Sequence, residues 1–194
     1  MQTAKSWLFN KWLLAMALLA YWPALGQTSE AGSPPGRLSA LTIRDLNNQS
    51  TPTPCLADGK RVTMVIYADP DHYRQNEYFV DRIKQYVFPL DEFCGYGIVN
   101  LKDTYLPTFV LRLILKTIRG RSEPERKAVI LTDPDHTVAK GWRLGDCNNQ
   151  VVVLLLDRDG RVLFWKKGAM DERETDHFIG LITSRISNYR LREK

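Results

Sequence analysis

The stretch VIYADPDHYR, residues 65–74, places an apolar run directly before a short polar turn. Its β-branched and aromatic residues favour a buried strand, and Pro70 disfavours helical geometry at the residue before it, so the strand is expected to end there. The letters DPDH return at 133–136 after a second apolar run, AVILT. The sequence therefore predicts two similar strand-to-helix turns, which we call the first elbow (69–72) and the second elbow (133–136).

Strand and helix patterns alternate on both sides of the two elbows. A hairpin is predicted at 150–167, because Gly160 occupies the turn position that needs a positive φ. A final helix is predicted from Asp171, where Glu174 completes a capping box. Helical connections make the second, third and fourth strands parallel, so we predict an α/β fold with a mixed central sheet and helices on both faces. The other predicted elements are strands at 38–46, 61–67, 96–101 and 127–132 and helices at 72–87, 109–118 and 136–142.

The helix at 109–118 combines an apolar face with basic residues. Its basic side chains either form an ordinary solvated face or attract anionic headgroups or an acidic partner. The basic residues are Arg112, Lys116 and Arg119. The apolar face is expected to point into the core and comprises Phe109, Val110, Leu113, Ile114 and Ile118.

Length, charge and the N-terminus limit the class of protein. The 194 residues suffice for one domain with a full core, and the net charge of +5 is too small and too dispersed to suggest a nucleic-acid partner. Lys5 and Lys11 come before an apolar run that ends near Ala24 and Gly26, which predicts a signal peptide at 1–26. An uncleaved anchor is the alternative. With cleavage, we expect a periplasmic protein without a stable membrane anchor. Its parts would be a tether at 27–37, a domain at 38–188 and a basic tail at 189–194.

The three cysteines divide between opposite edges of the predicted sheet. Cys55 and Cys94 each precede one of two neighbouring parallel strands, so both lie at the same edge and a disulfide between them is expected. Cys147 enters an antiparallel strand and therefore lies at the other edge. It is either an inert thiol or a single reactive thiol near His72, without a resolving cysteine beside it.

Three segments carry a family resemblance. The strand, elbow and helix at 62–87, KAVILTDPDHTVAKGWRL and VVVLLLDRDGRVLFWKKGAMDERE together resemble the thioredoxin-like superfamily, in its peroxiredoxin-related exported branch. More narrowly, the chain is similar to the YtfJ family of periplasmic proteins through IVNLKDTYLP, GWRL and DRDGRVLFWKKGA. The resemblance spans 38–187. It implies a thioredoxin-like three-layer sandwich and leaves the activity open.

The chain departs from a redox thioredoxin at both hallmark positions. Such a protein carries Cys-x-x-Cys where the first long helix begins, because a helix N-terminus lowers the pKa of the first thiol. Here those positions are Asp71, His72, Tyr73 and Arg74, and the proline expected before the hairpin strand is replaced by Val151. Dithiol exchange at this place is therefore not expected. We predict a non-catalytic binding or adaptor module, without a cofactor, whose partner is another exported protein.

The candidate binding surface is the carboxyl edge of the sheet, where ligands bind in open α/β folds. In the simplest interpretation the elbows are only turns, with Asp71 and Asp135 capping the following helices. Two alternative functions use the same edge: a single-cysteine redox protein with Cys147 as the catalytic thiol, or a metal-binding protein at the paired elbows. The intervening strand separates the elbows by about 10 Å, so no metal ligands are assigned. Trp142 belongs either to the core or to a small pocket beside Val151. The predicted surface comprises Asp69, Asp71, His72, Tyr73, Asp133, Asp135, His136 and Trp142.

Overall fold

The computed structural model describes residues 34–56, 59–104, 106–119, 129–187 and 189–191. The predicted signal peptide and the first part of the predicted tether, 27–33, lie outside the described residues. Within the described part of the chain, no helix is long and apolar enough to span a bilayer.

A seven-stranded mixed sheet forms the middle of the fold. The strands in chain order are β1 (Thr42–Asp45), β2 (Ser50–Pro52), β3 (Val62–Ala68), β4 (Tyr86–Val87), β5 (Phe93–Asn100), β6 (Val129–Asp133), β7 (Val151–Leu156), β8 (Val162–Lys167) and β9 (Arg190–Leu191). The order in the main sheet is β2-β1-β6-β5-β3-β7-β8, and β3, β5 and β6 are parallel, as predicted from their helical connections. β7 pairs antiparallel with β3, and β8 with β7. A separate two-stranded sheet joins β4 and β9.

Helices cover both faces of the sheet and create two separate hydrophobic clusters. One face packs against Trp142 and the short helix before it, and the other packs against Phe79 and Phe178. Strand β7 is buried along its whole length because its alternate side chains enter both clusters. The three-layer α/β architecture is therefore confirmed. The helices are a 3-10 helix (Pro70–Asn76), α1 (Glu77–Lys84), α2 (Thr108–Arg119), α3 (Thr137–Gly141) and α4 (Glu172–Thr183).

The disulfide predicted from strand order is present. Cys55 and Cys94 are bonded, with Cα atoms 6.5 Å apart. Cys94 lies in β5 opposite Thr63 of β3, so the bond ties the loop after β2 to the amino edge of the parallel strands. Cys147, at the other edge, is free and buried.

Two local predictions at the C-terminal end are also confirmed. The turn between β7 and β8 places Gly160 at φ +78°, and a Cβ there would meet the Leu38 carbonyl oxygen at 2.7 Å. Only glycine fits this close approach. At the start of α4, the Asp171 side chain accepts from the Glu174 N–H and the Glu174 side chain accepts from the Asp171 N–H, which is the predicted capping box.

The prediction of one continuous helix at 72–87 is wrong. The chain makes a 3-10 helix, breaks at Asn76 and continues as α1, which ends before Tyr86. Tyr86 and Val87 form strand β4 and pair with Arg190 and Leu191 of the predicted basic tail. The periodic apolar pattern continues through 87, but the backbone at Tyr86 and Val87 pairs with a distant strand instead of continuing the helix.

The predicted inward face of α2 is also wrong. Phe109, Leu113 and Ile114 are 73%, 65% and 41% exposed, whereas Leu111 is 5% exposed. Apolar residues cover more than half of the circumference of this helix, so the pattern alone leaves its rotation open. The structure turns Leu111 inward. The side chain of Ile118 lies outside the described residues.

Candidate functional site

At the first elbow, Asp69 connects two parts of the chain. Its carboxylate is buried and accepts hydrogen bonds from the Asp71 N–H at 2.7 Å and the Asn149 N–H at 2.8 Å. The His72 Nδ1 atom lies 3.8 Å from the same carboxylate. Asp69 therefore begins the 3-10 helix and also holds the loop that leads into β7.

At the second elbow, Asp133 is buried and accepts four hydrogen bonds. One carboxylate oxygen accepts from the Thr137 N–H at 2.7 Å, and the other accepts from the Val138 and Ala139 N–H groups at 3.0 and 3.3 Å. The hydroxyl of Tyr67 also donates to Asp133, at 3.1 Å. Burial and the neighbouring Asp133 raise the pKa of Tyr67, so this phenol stays protonated as the donor.

The helix caps come from the first aspartate of each DPDH copy. The predicted caps from Asp71 and Asp135 are wrong, because Asp69 caps the 3-10 helix and Asp133 accepts from the N–H groups at the start of α3. The side chains of Asp71 and Asp135 are exposed. The aspartate that ends a strand lies beneath the next helix, where its oxygens reach the free N–H groups. The aspartate after the proline has already left the sheet and points to solvent.

The two elbows lie on either side of β5, as the sequence predicts. Among the residues that the structure describes, no group of three or more His, Cys, Asp or Glu side chains could hold a metal ion. The carboxylates of Asp69 and Asp133 are instead occupied by backbone donors.

His136 turns toward the loop that follows β5. Its Nε2 atom lies 2.7 Å from the Asp103 carboxylate, which also accepts from the Asn100 side-chain amide at 2.8 Å. The His136 backbone adopts a left-handed conformation with φ 59°. A left-handed backbone is uncommon for a residue with a side chain. The contact between His136 and Asp103 is therefore part of the structure of this turn. Sequence reasoning missed Asn100 and Asp103, although both fall within the family-like segment IVNLKDTYLP.

A pocket of about 430 Å³ opens beside His136. Its floor includes Ala139 and the buried thiol of Cys147, while exposed Lys140 and Arg143 stand at its border. Asp146 adds one acidic group. The loop at 143–150 runs from this pocket to Asn149 beside the first elbow. We call the pocket the elbow pocket, and its lining comprises His136, Ala139, Lys140, Arg143, Gly145, Asp146 and Cys147.

Cys147 is shielded in the pocket floor. It is 4% exposed, and its Sγ lies 3.5 Å from the Gly145 carbonyl oxygen. Burial raises the pKa of this thiol to about 11, and nearby Lys167 only partly opposes the shift. A nucleophilic cysteine needs the opposite shift, because the thiolate is the reactive form.

Trp142 is a core residue rather than part of the surface. It is 1% exposed and its indole N–H donates to the Ser39 carbonyl oxygen at 3.0 Å. Asp69 and Asp133 are buried as well. These three predicted residues therefore lie beneath the surface of the edge and are not exposed on it. Of the remaining predicted residues, Asp71, Tyr73 and Asp135 are exposed, and Tyr73 is 62% exposed.

The 3-10 helix at the usual Cys-x-x-Cys position is clamped to β7 and to the segment before α4. The Gln75 side-chain oxygen accepts from the Val151 N–H at 2.8 Å. Asn76 donates to the Gly168 carbonyl oxygen and accepts from the Met170 N–H. The side chains of Gln75 and Asn76 thus form hydrogen bonds with backbone groups beside the first elbow. Neither residue was identified from the sequence.

This sheet order, with an elbow after the central strand, defines the chain as a protein of thioredoxin-like fold. The fold of the pneumococcal exposed lipoprotein thioredoxin Etrx1 from Streptococcus pneumoniae is similar, with TM-score 0.54, 10% identity and coverage of 75% of this chain and 99% of that chain. The chain is also similar to the thioredoxin domain of a thiol-disulfide oxidoreductase from Bacteroides vulgatus (TM-score 0.50, 14% identity, 77% and 98% covered). A thiol-disulfide oxidoreductase from Bacteroides fragilis gives TM-score 0.50, 12% identity and coverage of 75% and 98%.

The chain belongs to the YtfJ_HI0045 family, described as bacterial protein of unknown function, whose sequence model matches residues 43–185. The family resemblance found in the sequence is thereby confirmed. No curated protein matches the chain in sequence.

Proposed function

We propose that this protein is exported to the periplasm and works there as a non-catalytic, thioredoxin-like binding module for another exported protein. The sequence at 1–26 and the Cys55–Cys94 bond support export, because disulfides persist in oxidising compartments. Asp71 and Arg74 stand where a redox thioredoxin has its two cysteines, which supports a role without dithiol chemistry.

The elbow pocket is the observation that carries this proposal. His136 in its lining is already paired with Asp103, and Asp133 nearby in the second elbow is bonded to backbone N–H groups. The thiol in its floor is buried and holds its proton. What remains available is a cavity with Lys140 and Arg143 at its border, and such a cavity suits an acidic or polar segment of a partner.

Site-specific crosslinking in the exported compartment tests the binding role. We expect a photoreactive residue at Lys140 or Tyr73, both on the exposed edge, to give a discrete protein adduct. The same residue at Leu90, which is 85% exposed in the loop before β5, is the control and should give none.

The charge of the pocket border provides a matched comparison for the same experiment. Arg143→Glu should reduce the Lys140 adduct several-fold, since it reverses charge at the border. Arg173→Glu, on α4 across the sheet, should leave the adduct unchanged. Equal adducts from the photoreactive residue at Lys140, Tyr73 and Leu90 would contradict the proposal. A Lys140 adduct that Arg143→Glu leaves unchanged would contradict it as well.

The reactivity of Cys147 separates a binding module from a one-cysteine redox protein. With a pKa of about 11 instead of 9.0, its thiolate fraction at neutral pH is lower by roughly a hundredfold, and burial slows labelling further. We expect slow alkylation of the native protein, with a rate that rises with pH toward the thiol pKa. Fast labelling at neutral pH that unfolding does not accelerate would support the redox alternative instead.

A further inference from the structure

The solvent side of α2 carries large apolar side chains. Phe109 and Leu113 are 73% and 65% exposed, and they lie within about 40° of each other around the helix axis. Leu106, just before the helix, is 43% exposed. Ile114 is 41% exposed but lies about 140° from Phe109 around the axis, on another side of the helix. We call Leu106, Phe109 and Leu113 the α2 apolar stripe.

Basic residues border this stripe on one side. Lys116, which is exposed, lies about 20° from Phe109 around the axis, and Arg112 lies about 60° away. Arg112, Lys116 and Arg119 are the charged residues of 108–119, and this helix contains no acidic residue. The helix therefore presents protruding apolar groups beside a row of positive charge.

We propose that the α2 apolar stripe docks reversibly on the surface of an anionic lipid bilayer. A bilayer offers acyl chains to Phe109 and Leu113 and anionic headgroups to Lys116, so one partner satisfies both features. Two copies packed through the same helix would bring two basic α2 helices together, and neither helix contains an acid to pair them.

The arrangement of side chains around the helix favours a bilayer. Phe109, Leu113 and Lys116 lie within about 60° of one another around the axis, so one ridge of α2 carries exposed apolar and cationic side chains together. Protruding apolar side chains beside basic ones are what an interfacial helix inserts below the headgroups. Such a short ridge gives peripheral, reversible binding, which differs from a stable anchor. The inference does not depend on the elbow pocket.

Vesicle co-sedimentation tests this inference on the chain from Gln27 onward. Both core clusters lie between Leu38 and Ile186, so this chain keeps all of their residues while omitting the apolar run near the N-terminus. We expect it to bind vesicles of phosphatidylcholine with phosphatidylglycerol about tenfold more tightly than vesicles of phosphatidylcholine alone, and less tightly as salt is added.

Matched variants locate the contact. Phe109→Ser with Leu113→Ser should weaken binding to the anionic vesicles by about tenfold or more, because two partly exposed apolar side chains no longer leave water. Arg112→Gln with Lys116→Gln should remove most of the preference for phosphatidylglycerol. Leu90→Ser, which alters an 85% exposed side chain elsewhere, should bind as the unaltered chain does.

Several results would overturn the inference. These are no binding of the unaltered chain to anionic vesicles, an equal loss with Leu90→Ser, or a shift from dimer to monomer in the Phe109→Ser, Leu113→Ser variant, which would make the stripe an interface between copies. If the serine variants fail to fold, Phe109→Trp gives an independent readout. The emission of the introduced tryptophan should shift to shorter wavelength when anionic vesicles are added. An emission maximum that does not shift would contradict the inference.

Discussion

Asp133→Ala is expected to lower the free energy of unfolding by about 3–5 kcal/mol, the largest effect of a single substitution at the elbows. The change removes the acceptor of three backbone N–H groups at the start of α3 and of the Tyr67 hydroxyl. Asp133 is fully buried, so water cannot readily take its place. Urea unfolding followed by tryptophan fluorescence measures the loss.

The second elbow supplies its own control. Asp135→Ala alters the exposed aspartate two residues away and should change stability by no more than about 0.5 kcal/mol. Asp133→Asn keeps one acceptor oxygen and should fall between the two. If Asp133→Ala were no more destabilising than Asp135→Ala, the capping role of the first aspartate would be wrong.

Removal of the disulfide, by Cys55→Ala with Cys94→Ala, is expected to cost about 2–4 kcal/mol. The bond closes a loop across a sequence separation of 39 residues, and its loss gives the unfolded chain more freedom. The loop contains β3, the first elbow and α1, so the constraint spans that strand and the elbow that follows it.

Reduction of the unaltered protein is the matching measurement for the disulfide. Its unfolding midpoint in urea should fall under reducing conditions to near that of the double variant, whereas the double variant should not respond to reductant. An equal midpoint for the oxidised and reduced protein would show that the bond adds no stability.

The direction of the central strands and the disulfide follow from local patterns in the sequence. The apolar β-branched runs before each elbow mark strands that are covered on both faces, and helical crossovers make those strands parallel. Parallel neighbours place Cys55 and Cys94 at one edge, and this is sufficient to pair them. The Gly160 turn and the Asp171 capping box are equally local, because each depends on residues within one turn of the chain.

The candidate site was predicted only in position. The elbows and Cys147 do lie at the carboxyl edge of the sheet, but the sequence did not show which aspartate would be buried. It also did not reveal that His136 would bond to Asp103, because that contact joins residues from two different loops. Gln75 and Asn76 were missed for the same reason, since their partners are backbone atoms far along the chain.

The sequence by itself determined where the parallel strands and the hairpin lie, how the central strands run and that no cysteine pair stands at the first elbow. Those properties depend on side-chain type and on short-range backbone preferences, which neighbouring residues carry. Only the tertiary structure decided which way α2 turns its apolar residues, that Trp142 is covered and that the Cys147 thiol is shielded. Each of these depends on which surface is covered by residues far away in the sequence. A local sequence pattern contains no information about burial by such distant residues.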